Sequence, residues 1–328
     1  MSLVKNGKLE GDWLKEETRD GEFVRMDSVF RHWVTPDGGP GPTGKDGFKA
    51  EPGRYHLYVS YACPWAHRTL MFRALKKLDK LITVSVVHPG MGPESWKFDN
   101  SFPGATEDHL HQAEFLHELY TRADSAYSGI VTVPVLWDKQ QNTIVNNESS
   151  EIIRMFNSAF DAYTDVKTDY YPEAQRDEID AINQVIYDNV NNGVYRCGFA
   201  QTQQAYEKAF DNLFNTLDML EQRLDKQRYL VGNSITEADW RLLPTLLRFD
   251  PVYVGHFKCN QQRIVDYPNL SNYLRDLFQQ PGIGDTFNLE HVKYHYYWSH
   301  DSINPTRIVP KGPVLNYMAP HNRDRFSK

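Results

Sequence analysis

Residues 54–68 read R-Y-H-L-Y-V-S-Y-A-C-P-W-A-H-R, and this stretch decides the fold. Tyr55, Leu57 and Val59 alternate with His56, Tyr58 and Ser60, which is the period of a strand. Pro64 suits the first turn of a helix that runs on through Leu70, Ala74 and Leu75. Cys63 therefore falls at the amino end of the predicted helix. Backbone N–H groups and the helix dipole stabilise a thiolate there, and His67 and Arg68 in the next turn add positive potential. A thiolate is the nucleophilic form, so the stretch predicts a reactive cysteine. The competing reading is a buried thiol beside a turn.

Working outward, the 328-residue chain is long enough for two domains, and 40% hydrophobic with 13% aromatic residues supplies packed cores. The amino terminus lacks the apolar core of a signal peptide, and Leu81–Val87 is too short to span a bilayer, so a cytoplasmic location is expected. Net charge is −7 with acids and bases interspersed, which gives no footprint for nucleic acid or an anionic membrane and favours small-molecule partners. Three scattered cysteines, Cys63, Cys197 and Cys259, do not make a disulfide framework or a thiolate zinc site. Reduced thiols are expected.

The first fifty residues end in T-P-D-G-G-P-G-P-T-G-K-D-G and are expected to form an extended surface arm or lid. After the Cys63 helix, L-I-T-V-S-V-V at 81–87 reads as a strand, and Pro89–Pro103, which carries Trp96, reads as an irregular insertion. An amphipathic helix is predicted over 108–122 through Leu110, Ala113, Leu116, Leu119 and Tyr120. Two strands follow in V-T-V-P-V-L-W-D and T-I-V-N-N, and a helix starts near Glu148. Pro134 interrupts a strand, so it marks either a break in the ladder or a sharp, cis turn that leaves backbone groups free to hold a peptide. From about residue 170 the pattern is helical. Tyr206, Phe210, Leu213, Leu217, Leu220 and Leu224 recur at three- and four-residue steps, and Thr236 with Asp239 forms a capping signal. A small mixed-sheet domain followed by an all-helical one is the simplest architecture.

These features, with V-P at 133–134, E-S at 148–149 and T-E-A-D at 236–239, resemble the glutathione transferases over most of the chain. More narrowly, C-P-W-A-H-R, S-W-K-F-D-N-S-F-P-G-A-T, V-T-V-P-V-L-W-D, N-N-G-V-Y, R-F-D-P-V-Y-V and I-N-P-T resemble the Xi class, the glutathionyl-hydroquinone reductases. The resemblance implies an arm at 1–50, a thioredoxin-like glutathione-binding domain at 51–160, and an all-helical domain with a C-terminal tail at 170–328. It also implies a homodimer. Glutathione would lie against Trp96, the backbone of Ile130, Val131, Thr132 and Val133, and Glu148 and Ser149 at a helix start. Ile130 stands where family members often carry a basic residue.

A C-x-x-C dithiol is absent because Ala66 occupies the fourth position, so an external thiol must complete a redox cycle at Cys63. Glutathione fits that requirement. Among 19 tyrosines the resemblance singles out Tyr195 as proton donor, with Tyr253 and Tyr296 in support. It implies attack of Cys63 on the sulfur of a glutathionyl-hydroquinone, release of the hydroquinone, and regeneration by a second glutathione. No metal is expected. His291 and His295 lack a third ligand, and His109, His111, Glu114 and His117 read as the polar face of their helix. Cys197 reads as a structural thiol or, alternatively, as a resolving partner of Cys63. Two other functions remain open: a general glutathione-dependent thioltransferase or dehydroascorbate reductase, and a non-enzymatic glutathione-binding module.

Overall fold

The computed structural model describes residues 2–10 and 13–326. Residues 1, 11, 12, 327 and 328, which fall within the expected arm and tail, lie outside the described residues. In chain order the elements begin with β1 (Ser2–Lys5), β2 (Lys8–Glu10), α1 (Trp13–Glu16), β3 (Thr18–Arg19) and β4 (Glu22–Phe23). Next come β5 (Tyr55–Val59), α2 (Pro64–Leu75), β6 (Thr83–Val86), α3 (Leu116–Ala123), β7 (Gly129–Val131), β8 (Val135–Asp138), β9 (Thr143–Asn146) and α4 (Ser149–Ser158). The remaining helices are α5 (Arg176–Ile186), α6 (Gly193–Gly198), α7 (Gln203–Lys226), α8 (Glu237–Arg248), α9 (Pro268–Phe278) and α10 (Leu289–Ser299). Among the described residues, no helix is long and apolar enough to cross a membrane.

The chain forms two compact units. One comprises Met1–Glu16, Met26–Thr168 and Thr286–Ser299, and the other comprises Glu17–Arg25, Asp169–Asp285 and His300–Lys328. The first is built on a four-stranded sheet of order β6-β5-β8-β9, with β5 and β6 parallel and the other pairs antiparallel. A parallel pair needs a crossover connection, and α2 supplies it. The β5-α2-β6 and β8-β9-α4 units make the thioredoxin-like arrangement.

β5 is central and buried along all five residues, so its alternation does not separate a core face from a wet one. The polar side chains on it are satisfied internally. The His56 ring lies 2.7 Å from Thr83 Oγ1 and 3.0 Å from Ser85 Oγ, and Tyr58 donates to Asp108 Oδ1 at 3.0 Å. Burial pulls the His56 imidazole down to about 3, which keeps it neutral. At the sheet's other polar point, the Arg54 guanidinium pairs with the buried Asp138 carboxylate, tying the start of β5 to the end of β8.

Two expectations are corrected in this unit. The helix predicted over 108–122 occupies only Leu116–Ala123. Upstream, Asp108 turns its carboxylate onto the N–H groups of Leu110, His111 and Ala113, and Leu116 N–H donates to Trp96 O at 2.9 Å. A side chain that takes the backbone donors competes with the helix ladder, so the turn wins. His111 accordingly packs edge-on against Trp137 and does not sit on a wet helix face.

The first fifty residues are not simply an extended arm. Asn6 and Gly7, at φ 49° and 74°, turn β1 into β2, and β1 also pairs antiparallel with β7, burying Leu3 and Val4. Asp20 and Gly21, at φ 52° and 81°, turn β3 into β4 in the same way. Asn-Gly and Asp-Gly are the dipeptides that tolerate two left-handed residues in a tight hairpin.

In the helical unit, α7 buries Leu213, Leu217, Leu220 and Leu224 as its period predicts, while Tyr206 and Phe210 near its start are half-buried. Thr236 and Asp239 cap α8 reciprocally, with Thr236 N–H donating to Asp239 Oδ2 at 2.8 Å. Tyr273 of α9 donates to the same carboxylate at 2.7 Å. The β3–β4 hairpin belongs to this unit. Gln201 N–H donates to Gly21 O at 2.9 Å, and Lys208 pairs with Glu22 at 2.8 Å. Gly21 is required twice over, by its positive φ and because a Cβ there would lie 2.7 Å from Thr202 Cγ2.

Candidate active site

Cys63 is the residue immediately before α2, with extended backbone (φ −76°, ψ 122°) and Pro64 in the first helical position. Its carbonyl accepts the first helical bond, from His67 N–H at 3.0 Å, and its N–H donates to Ser60 O at 3.2 Å. The strand-to-helix turn is thus closed on both sides of the thiol. Cys63 is half-buried, and its Sγ donates to Val133 O at 3.5 Å. Val133 precedes Pro134 through a cis peptide bond. The neighbouring backbone is engaged differently: Ile130 and Val131 pair with β1, while the Tyr120 hydroxyl donates to Thr132 O at 2.7 Å and lies 3.3 Å from Thr132 N. Of the four backbone positions expected to meet glutathione, Val133 faces the thiol.

The two basic residues of the first turn are both buried and engaged by side chains. His67 is fully buried, 2.8 Å from Thr286 Oγ1 and stacked on Phe287. Arg68 lies over the Trp65 ring at 4.6 Å and donates to Ser149 Oγ at 3.4 Å, so it fastens α2 to the start of α4. Glu148 caps α4. Its Oε1 accepts from Ser150 N–H at 2.9 Å and its Oε2 from Ser28 Oγ at 3.3 Å. A carboxylate and a hydroxyl at a helix start make a polar cradle for an amine and a carboxylate, the two ends of an α-amino acid group.

Trp96 is buried and stacks on His295 of α10, with centroids 4.7 Å apart and planes 22° apart. Its Nε1 has no hydrogen-bond partner among the described residues, which leaves a buried donor for a ligand. Tyr296, beside His295, is 1% exposed. His291 Nε2 lies 2.8 Å from Pro103 O and His295 Nδ1 2.9 Å from Pro89 O, so the i, i+4 pair anchors the irregular 89–103 stretch. Among the described residues no group of three or more His, Cys, Asp or Glu could hold a metal ion.

The helical unit holds Tyr195 and Tyr253 together, with ring centroids 6.2 Å apart. Tyr195, on α6, is 8% exposed and is enclosed by Phe23, Phe199 and Phe257; Tyr253 is fully buried and stacks on Phe257 at 5.4 Å. Gly198 makes room for this shell, since a Cβ there would lie 2.2 Å from the Phe257 ring. Cys197 and Cys259 are also in this unit, both buried as free thiols, and Cys259 Sγ donates to Phe257 O at 3.8 Å. Burial pushes the Cys259 thiol well above its ordinary range. The nearby Cys197 thiol adds to that upward push, a proximity that their spacing along the chain did not suggest. Sequence reading also missed Phe23 and Arg25, whose signal was the Asp-Gly turn at 20–21 that folds this segment back.

Residues 62–159 match the glutathione S-transferase N-terminal domain and residues 203–276 the glutathione S-transferase C-terminal domain. Glutathionyl-hydroquinone reductase YqjG of Escherichia coli (strain K12) is 56% identical over 324 residues, covering 99% of each chain. Glutathionyl-hydroquinone reductase PcpF of Sphingobium chlorophenolicum is 51% identical over 316 residues, covering 96% of this chain and 97% of its own. Among solved structures, glutathione-bound YqjG superposes with a TM-score of 0.89 at 59% identity, covering 90% of this chain and 96% of that one. The Xi class transferase of Natrialba magadii superposes with a TM-score of 0.91 at 45% identity, covering 99% and 97%.

Proposed function

This chain belongs to the Xi class of the glutathione transferases, the glutathionyl-hydroquinone reductases, and is a glutathione-dependent reductase of glutathionyl-hydroquinones; from that premise we propose that Cys63 carries the reaction through a mixed disulfide. The observation that carries this reading is the placement of Cys63 at the start of α2, half-buried, with its sulfur against the carbonyl that precedes cis-Pro134. A thiol at a helix start ionises readily and is exposed enough to attack.

The Cys63 thiolate attacks the glutathionyl sulfur of the substrate in its keto tautomer. The S–S bond forms, the carbon–sulfur bond breaks, and the electron pair leaves on the ring as an enolate, which Tyr195 protonates to the hydroquinone. Tyr253 and Tyr296 support that hydroxyl chemistry. The thiolate of a second glutathione then attacks the glutathionyl sulfur of the mixed disulfide, freeing the Cys63 thiolate and leaving as oxidised glutathione. The proton from that second thiol restores the Tyr195 phenol, so each cycle consumes one glutathione. For glutathione itself, Val133 offers main-chain pairing, Glu148 and Ser149 offer the polar helix start, and Trp96 Nε1 offers a buried donor. Ile130 and Val131 shape the strand behind Val133, and Thr132 is held by Tyr120.

Family membership favours this over a general thioltransferase, and the placement of Cys63 favours an enzyme over a binding module. The protein acts as a homodimer in a reducing, cytoplasmic setting in this reading. Incubation with a glutathionyl-hydroquinone and glutathione should release hydroquinone and oxidised glutathione in equal amounts, and Cys63→Ala should release neither. Turnover of small mixed disulfides without any turnover of the quinol conjugate would replace this reading with the thioltransferase.

A further inference from the structure

The β3–β4 hairpin brings a cation to Tyr195. Arg25, just beyond β4, places its guanidinium carbon 4.9 Å from the Tyr195 ring centroid and 5.2 Å from that of Phe23. Its Nε donates to Asn192 Oδ1 at 2.8 Å. Asn192 is buried and immediately precedes α6, the helix that carries Tyr195. The guanidinium is therefore fixed at one end to the start of that helix and lies over the phenol ring. The hairpin is itself anchored by Gly21 to Gln201 and by Glu22 to Lys208, so the placement does not depend on the Arg25 side chain alone.

We propose that Arg25 is a positioning residue for Tyr195, holding the phenol in one orientation and stabilising its ionised form through the ring face. The inference rests on the proton-donor role given to Tyr195 above. A cation over an aromatic face is attracted to the ring's electrons, and the attraction grows when the ring becomes a phenolate and when water is kept away. Ring neighbours of Tyr195 include Phe23, Phe199 and Phe257, and a titratable one, Tyr253. Arg196 follows Tyr195 on α6, and Glu22, Lys208 and Asp188 stand on the elements that pack about α6. The Arg25 guanidinium lies over the ring itself.

The test uses the full-length protein grown with 3-fluorotyrosine, with the Tyr195 fluorine resonance assigned by its loss in Tyr195→Phe. In Arg25→Gln the Tyr195 titration midpoint should rise by about one pH unit, and kcat for the quinol conjugate should fall about tenfold with little change in KM. Reduction of glutathionylated 2-mercaptoethanol, which needs no enolate protonation, should be unchanged. Arg25→Lys keeps the charge without the planar fork and should recover part of the titration shift. An unmoved Tyr195 midpoint in Arg25→Gln overturns the proposal, as does an equal fall in both activities, which would mean a merely structural role. A moved midpoint combined with a fully active Tyr195→Phe would instead remove the proton-donor reading while leaving Arg25's hold on the phenol standing.

Discussion

Cys63 and Tyr195 lie in different compact units and are held by different kinds of structure. Cys63 is fixed by backbone: a strand, a closed turn and a helix start contributed by fifteen successive residues, 54–68. Tyr195 is fixed by packing, among rings drawn from Phe23, Phe199, Tyr253 and Phe257 and under the guanidinium of Arg25. The first kind of placement survives conservative changes at a distance, because local hydrogen bonds define it. The second depends on segments far apart in the chain, so its function is exposed to substitutions that touch no substrate.

The sharpest way to test the contrast is to remove each group. Cys63→Ala should lower turnover of both quinol conjugates and small mixed disulfides by about 10³-fold or more, because no other route to the mixed disulfide exists. Cys259→Ala, deep in the helical unit with a thiol whose ionisation burial opposes, should keep turnover while losing stability on denaturant titration. Loss of activity in the second variant alone would move the chemistry to the buried pair. Tyr195→Phe should cost about 10²-fold in quinol turnover, the usual worth of a positioned acid, with mixed-disulfide reduction retained. Equal loss on both substrates would show the ring to be structural.

The smallest effect compares how the two units respond to acid. His56 in the sheet unit and His256 in the helical unit are both buried, with imidazoles pulled down to about 3 and about 4. The unfolded chain binds a proton at each near pH 6.5 and the folded chain does not, so stability is full above that value and is lost as pH falls. Each should contribute a loss of about 2 kcal/mol between pH 7 and pH 5. The guanidinium midpoint should fall over that interval, and less steeply in His56→Gln. A midpoint independent of pH there would mean that these histidines are protonated or exposed in the folded protein.

What could be read from sequence follows the same division. The helix start at Cys63, the cap at Glu148, the capping pair Thr236–Asp239 and the core stripe of α7 are local patterns, and all appear where the residues place them. The helix predicted over 108–122 was shortened by Asp108, whose carboxylate takes three backbone donors. No hydrophobic period registers that competition. The Asn6-Gly7 and Asp20-Gly21 dipeptides are local hairpin signals, but the Gly- and Pro-rich run at 35–47 set the reading of the whole segment. That the second hairpin carries Phe23 and Arg25 to Tyr195 is a tertiary fact without a local trace. The stacking of His295 on Trp96 is another.

The central claim is that Cys63 is the thiol that receives the glutathionyl group. The most direct test is a single turnover with excess glutathionyl-hydroquinone and no added glutathione, quenched in acid and mapped by peptide mass spectrometry. The account predicts one equivalent of free hydroquinone and a glutathionyl adduct confined to the peptide containing Cys63. Hydroquinone released without that adduct, or an adduct on Cys197 or Cys259, would contradict it.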